Sequence, residues 1–120
     1  MVAAQNSEFR NALIAERQAT LERIAALSQD LTSIFDSAQF TSTDDEHDPE
    51  GATIAFERSQ ASSLLAASHA QLAEVNAALE RIRVEAYGLC EHCGTTITHD
   101  RLLARPTART CITCTTALGQ

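Results

Sequence analysis

At 120 residues the chain cannot bury a large core, and with no Trp, one Tyr and four Phe it lacks the bulky fillers of compact enzyme folds, which points to an extended helical body. All nine basic residues are Arg, and sixteen acids leave a net charge of −7, a balance that works against holding a phosphate backbone through clustered cations. No apolar run reaches signal-peptide length near the start or the roughly 18 residues of a membrane span anywhere, so a soluble, cytoplasmic protein with no membrane contact is expected.

Asn6 or Ser7 can cap a first helix that runs without Pro or Gly to about Asp36. Leu13, Thr20, Ile24, Leu27, Leu31 and Ile34 fall on one stripe of it, interrupted by Arg17. The stretch TSTDDEHDPEGA, residues 41–52, follows with five carboxylates and no Lys or Arg. Within it Asp48-Pro49-Glu50 reads as an N-cap, a Pro at the first helical position and an acid in the first turn of a second helix. Ala61, Leu65, Ser68, Leu72, Val75, Leu79, Ile82 and Ala86 are then spaced alternately by four and three, a heptad seam, and Gly88 marks its stop. Helix two is therefore predicted from about Pro49 to Tyr87. Neither helix holds alone with so little else around it, so the two pair antiparallel over residues 1–87, with the acidic tip at about 37–52. At about 1.5 Å per residue, helices of roughly 30 residues make a rod on the order of 45 Å long. A calcium loop is a poor reading of the tip. Glu46, Asp48, Glu50, Gly51 and Glu57 fit EF-hand spacing, but Pro49 lies inside the loop and opens a helix.

Cys90-Glu91-His92-Cys93 and Cys111-Ile112-Thr113-Cys114 form two C-x2-C pairs separated by seventeen residues. Each such knuckle turns both thiolates toward one point, and in a reducing compartment four Cys at this spacing predict one zinc ion held by Cys90, Cys93, Cys111 and Cys114. Four thiolates leave no open coordination position, so the zinc is structural and cannot readily activate water. His92 and His99 lie nearby but four sulfurs already suffice. The same spacing occurs in GATA-type DNA-binding fingers. Arg101, Arg105 and Arg109 make this end locally basic, yet TTALGQ closes the chain without a charge, which is thin for a duplex. There is also no nucleophile and base pair and no phosphate-binding Gly loop, so no enzyme is expected. The fold class is thus all-α dominated: a long antiparallel coiled-coil hairpin followed, over residues 88–120, by a small four-cysteine zinc finger.

The run from Tyr87 through Gly88-Leu89-Cys90-Glu91-His92-Cys93-Gly94, then Ile97, then Arg101-Leu102-Leu103-Ala104-Arg105-Pro106-Thr107-Ala108, then Cys111-Ile112-Thr113-Cys114 resembles the DksA/TraR-type zinc finger. The resemblance extends over the whole chain, because a coiled-coil hairpin with an acidic turn precedes the finger in that family. It implies a bacterial transcription regulator that binds RNA polymerase and not DNA. Its coiled coil enters the secondary channel, its tip acts near the catalytic magnesium, and its zinc end stays at the rim. Carried onto this sequence, the tip residues are Asp45, Asp48 and Glu50, with Asp44 and Glu46 as weaker candidates, and Arg101 and Arg105 either brace the finger or touch the rim. The family's Asp-x-x-Asp-x-Ala tip is matched in part only: Asp45 and Asp48 supply both acids, but Glu50 stands where Ala belongs. Some members bind guanosine tetraphosphate through basic residues near the zinc end. Between Arg58 and Arg81 this chain has none, with Ala67, His69 and Glu74 in that stretch, so a monomeric regulator working without the alarmone is expected. Two alternatives stand beside this one, a nucleic-acid-binding zinc finger and a coiled-coil interaction protein with another partner.

Overall fold

Apolar heptads and a lack of Pro or Gly within each run make two long helices. In the computed structural model, which describes residues 3–39 and 49–119, they are α1 (Ala3–Gln39) and α2 (Pro49–Arg83). Two short helices follow, α3 (His99–Ala104) and α4 (Ile112–Ala117). Among the described residues the β pairing is a single antiparallel bridge, Leu89 with Thr96, so the molecule is a long helical hairpin carrying a largely irregular finger.

The chain divides into two compact units. One, Met1–Gln18 with Ala73–Gln120, brings the start of α1 and the end of α2 to the finger. Its core is Phe9 and Leu13 from α1, Val75 and Ala78 from α2, and Tyr87, Cys90, Ile97, Leu102, Ala108 and Cys114 from the finger, with Leu79, Ile82 and Cys111 packed against it. Burial of each large apolar side chain contributes roughly 1.5–3 kcal/mol, so Phe9, Leu13, Ile97 and Leu102, all at most 2% exposed, supply much of this unit's stability. The other unit, Ala19–Leu72, pairs the second half of α1 with the first half of α2. There Thr20, Ala61 and Ser68 are buried, and Ile24, Leu27, Leu31, Ile34, Leu65 and Leu72 are half-buried, as the seam requires. The buried Ser68 hydroxyl is satisfied within its own helix, donating to the Leu64 carbonyl at 2.9 Å.

Two helix ends differ from the sequence expectation. Asn6 and Ser7 are not caps, because α1 is already helical from Ala3. And α2 stops at Arg83, before Tyr87 and Gly88. The Ala86 N–H donates to the Arg81 carbonyl at 2.8 Å and the Glu85 N–H to the Ile82 carbonyl at 3.1 Å, which is a Schellman closure. Its left-handed position, normally glycine, is filled by Glu85 at φ 60°. Nothing in the sequence signals that end, since the expected terminator, Gly88, serves the finger instead. The left-handed conformation costs a residue with a Cβ about 1–2 kcal/mol, while glycine loses more backbone entropy on folding. Glu85→Gly should therefore raise the stability by about 0.5–1 kcal/mol, measurable as a higher urea midpoint of the zinc-loaded protein; a lower midpoint would contradict this account of the helix end.

Pro49 is the first residue of α2, as predicted, and the helix runs on through Glu57, so no calcium loop ends there. Asp44, Asp45, Glu46 and Asp48 lie outside the described residues, and Glu50 lies in the first turn of α2. No described helix is long and apolar enough to cross a membrane.

Candidate metal centre

The first knuckle leaves the end of α2 through Gly88, whose positive φ of 86° turns the chain so that its carbonyl accepts from the Ile97 N–H at 2.7 Å. The Cys90 N–H donates to the Thr95 carbonyl at 2.8 Å, and the Gly94 N–H to the Cys90 carbonyl at 2.9 Å, closing the turn with Gly94 at φ 77°. The second knuckle is a helix start. Cys111 is the N-cap of α4, its Sγ accepting from the Cys114 N–H at 3.5 Å. A further bond joins the two knuckles, from the Glu91 N–H to the Arg109 carbonyl at 2.9 Å.

The four Sγ atoms lie within 4.8 Å of one another. Thiolates about 2.3 Å from a tetrahedral zinc stand about 3.8 Å apart, and Cys93 Sγ and Cys111 Sγ are separated by 3.8 Å. The donor set therefore fits one structural zinc ion. Cys90 and Cys114 sit in the core, Cys111 is partly covered and Cys93 is exposed. As bare thiols they could not ionise together. Hydrogen bonding from the Cys93 backbone, then from the Cys111 and His92 backbones, pulls Cys90 down to about 6. Burial, reinforced by the neighbouring thiols, pushes Cys114 up to about 12. The Thr95 side chain, 2.9 Å away, lowers Cys93. A divalent cation eases that conflict by coordinating all four thiolates at once, which stabilises each in its ionised form. Neither His belongs to the cluster; the His99 ring packs on Phe9 at 5.3 Å.

Arg101, for which bracing and rim contact were both open, is hydrogen-bonded within the finger. Its Nε donates to the Thr110 carbonyl at 2.9 Å and its Nη2 to Thr115 Oγ1 at 3.0 Å, fixing α3 against the second knuckle. Thr98 caps α3, accepting from the Arg101 N–H. Arg109 joins finger to helix. It donates to both carboxylate oxygens of Glu74 on α2, at 2.9 and 3.3 Å, and to Glu91 at 3.3 Å, so that Glu74 raises its pKa. Arg81 Nη2 donates to the Thr107 carbonyl at 3.3 Å, while its Nη1 is buried without a partner. Burial, then the field of Arg109, pulls its pKa down. Arg105 is exposed at the mouth of a cavity of about 510 Å³ lined also by Glu74, Glu91, His92, Arg101 and Arg109. Sequence reasoning had no signal for the Glu74–Arg109 pair, since the two lie 35 positions apart.

Tyr87 completes the junction. Its hydroxyl donates to the Pro106 carbonyl at 2.7 Å, and burial pushes its pKa up to about 12. The folded-state value lies above the ordinary phenol value near 10, so this group's contribution is intact below pH 10 and lost as pH rises toward 12. Because the chain has one Tyr and no Trp, absorbance at about 295 nm reads this residue alone. Native protein should titrate well above unfolded protein, and coincident curves would sink the assignment.

Comparison with known proteins places these features. The family described as "Prokaryotic dksA/traR C4-type zinc finger" matches residues 85–117, which contain all four cysteines. The structure of transcription factor DksA2 from Pseudomonas aeruginosa is similar over 99% of this chain and 86% of that one, with a TM-score of 0.85 and 29% identity. An uncharacterized protein of Aquifex aeolicus (strain VF5) is 47% identical over 45 residues, 38% of this chain; the matched segment spans 31% of that relative's length. The finger is thus similar to the DksA/TraR C4-type zinc finger over residues 85–117, the DksA2 fold is matched along nearly all of the chain, and the four-cysteine cluster fits one structural zinc.

Proposed function

We propose that the chain is a non-enzymatic transcription factor that binds RNA polymerase, inserting its coiled coil into the secondary channel and modulating initiation with the acidic tip. The observation that carries this reading is the likeness to transcription factor DksA2 over 99% of the chain, hairpin and finger together. The tip roles fall to Asp45, Asp48 and Glu50, with Asp44 and Glu46 in support. Arg105, exposed and with no ion-pair partner among the described residues, is the rim contact, whereas Arg101 is spent on the finger. The protein acts in the cytoplasm, as a monomer.

Arg101, Arg109 and Arg81 all spend donors on the protein itself, which leaves little basic surface for a duplex, so no direct sequence-specific DNA binding is expected. Glu74 and Glu91 neutralise Arg109 inside the cavity at the zinc end, in keeping with regulation that does not need guanosine tetraphosphate.

The test is binding of the zinc-loaded protein to core RNA polymerase, with a secondary-channel cleavage factor as competitor and an Asp45→Asn/Asp48→Asn variant alongside. Mutually exclusive binding is expected, together with a variant that binds but no longer alters initiation. Binding indifferent to the competitor would remove the channel from the proposal, and no binding would remove the polymerase. A salt-steep affinity for DNA that survives neutralising the tip would favour a nucleic-acid-binding finger instead.

A further inference from the structure

In the unit Ala19–Leu72 the heptad seam is underfilled at one level. The seam residue there is Ala61, 8% exposed, and a groove of about 450 Å³ opens above it. Its apolar lining is Leu27 and Ile34 from α1 and Ala61 and Leu64 from α2, with Leu64 half exposed to solvent. Its polar lining includes two carboxylates, Asp30 from α1 and Glu57 from α2. Both are exposed, and among the described residues neither is in an ion pair. Arg58, the neighbouring cation, is turned instead over the Phe35 ring, 5.7 Å from its centroid.

An apolar floor flanked by two uncompensated carboxylates suits an occupant with a long aliphatic stem and a cationic head. A purely apolar side chain would leave the carboxylates unanswered, and an anion would be repelled. We propose that this groove receives an Arg side chain of the protein partner, with its methylenes on Ala61 and Leu64 and its guanidinium between Asp30 and Glu57. Arg suits the groove better than Lys, because a planar fork can donate to two carboxylates at once. The inference rests on the polymerase-binding reading and adds to it a contact made by the unit Ala19–Leu72 itself.

Three proteins decide it, each titrated onto core RNA polymerase at two salt concentrations: wild type, Asp30→Asn/Glu57→Gln, and a control, Glu8→Gln/Glu85→Gln, that removes the same charge from exposed positions outside the groove. The groove variant is expected to bind about tenfold more weakly and with a shallower salt dependence, while the control stays within about twofold of wild type. Both substitution sets lie at exposed positions, so melting curves should coincide with that of wild type. Equal affinity of groove variant and wild type, or equal loss in the control, would overturn the groove and leave polymerase binding standing. Absence of wild-type binding would overturn both.

Discussion

Chelating the zinc, or replacing Cys114 by Ser, is expected to undo far more than the finger's two knuckles. Structural zinc contributes on the order of 10–16 kcal/mol of binding free energy that exists only with the folded site, which is as large as the total stability of an ordinary domain. Cys90 and Cys114 are themselves core residues, sharing one cluster with Phe9, Leu13, Val75 and Tyr87. Without the ion nothing ties the four thiols, which lie within 4.8 Å of one another, to one point, and the cluster loses the bonds that close it. The loss should be lopsided between probes. Helices α1 and α2 hold 37 and 35 residues, against six each in α3 and α4, so far-UV circular dichroism falls less than the near-UV signal of Tyr87. Tyr87 should also titrate near the ordinary phenol value once the metal is gone. A chelated protein that keeps its native near-UV spectrum would show that packing alone holds the junction.

Phe9→Ala is expected to cost about 3–5 kcal/mol, because it removes an entire buried ring that the surroundings cannot collapse to replace. The ring is 1% exposed and stands 5.6 Å from the Tyr87 ring and 5.3 Å from the His99 ring, so its loss opens a void between α1 and the finger. A fall in the urea midpoint at unchanged slope would report this as stability. A cost below about 1 kcal/mol would mean that the start of α1 contributes little to holding the finger. The two perturbations share neighbours, so their effects should not add.

Much of the hairpin was legible because burial imposes a period. Ala61, Ser68 and Val75 are buried as their heptad positions require, and the rest of that seam is half-buried. The same period breaks down where other contacts take over. Phe9 lies four residues before Leu13 and so continues the first stripe, but Arg17 interrupts it and only the finger explains why a Phe is needed there. The end of α2 was illegible for a different reason. Glu85 carries no helix-stop signal, and its left-handed backbone is maintained by bonds back to Arg81 and Ile82 that appear only once the chain has turned. The metal centre was the clearest reading, since two C-x2-C knuckles specify their own geometry. The arginines around it were ambiguous until their partners were known. Arg101 and Arg109 look alike in sequence, yet one braces α3 and the other reaches Glu74.

The unit that contains the finger is discontinuous, drawing on the first 18 residues of the chain as well as the last 48. Its core cannot be completed until the C-terminal segment has been made and the chain has doubled back, so closing a loop of more than fifty residues precedes the reward of those contacts. This finger is consequently not a portable cassette. Excised as residues 85–117 and fused to another protein, it would keep its four sulfurs and lose Phe9, Leu13, Val75 and Glu74, leaving an apolar face with nothing to cover it.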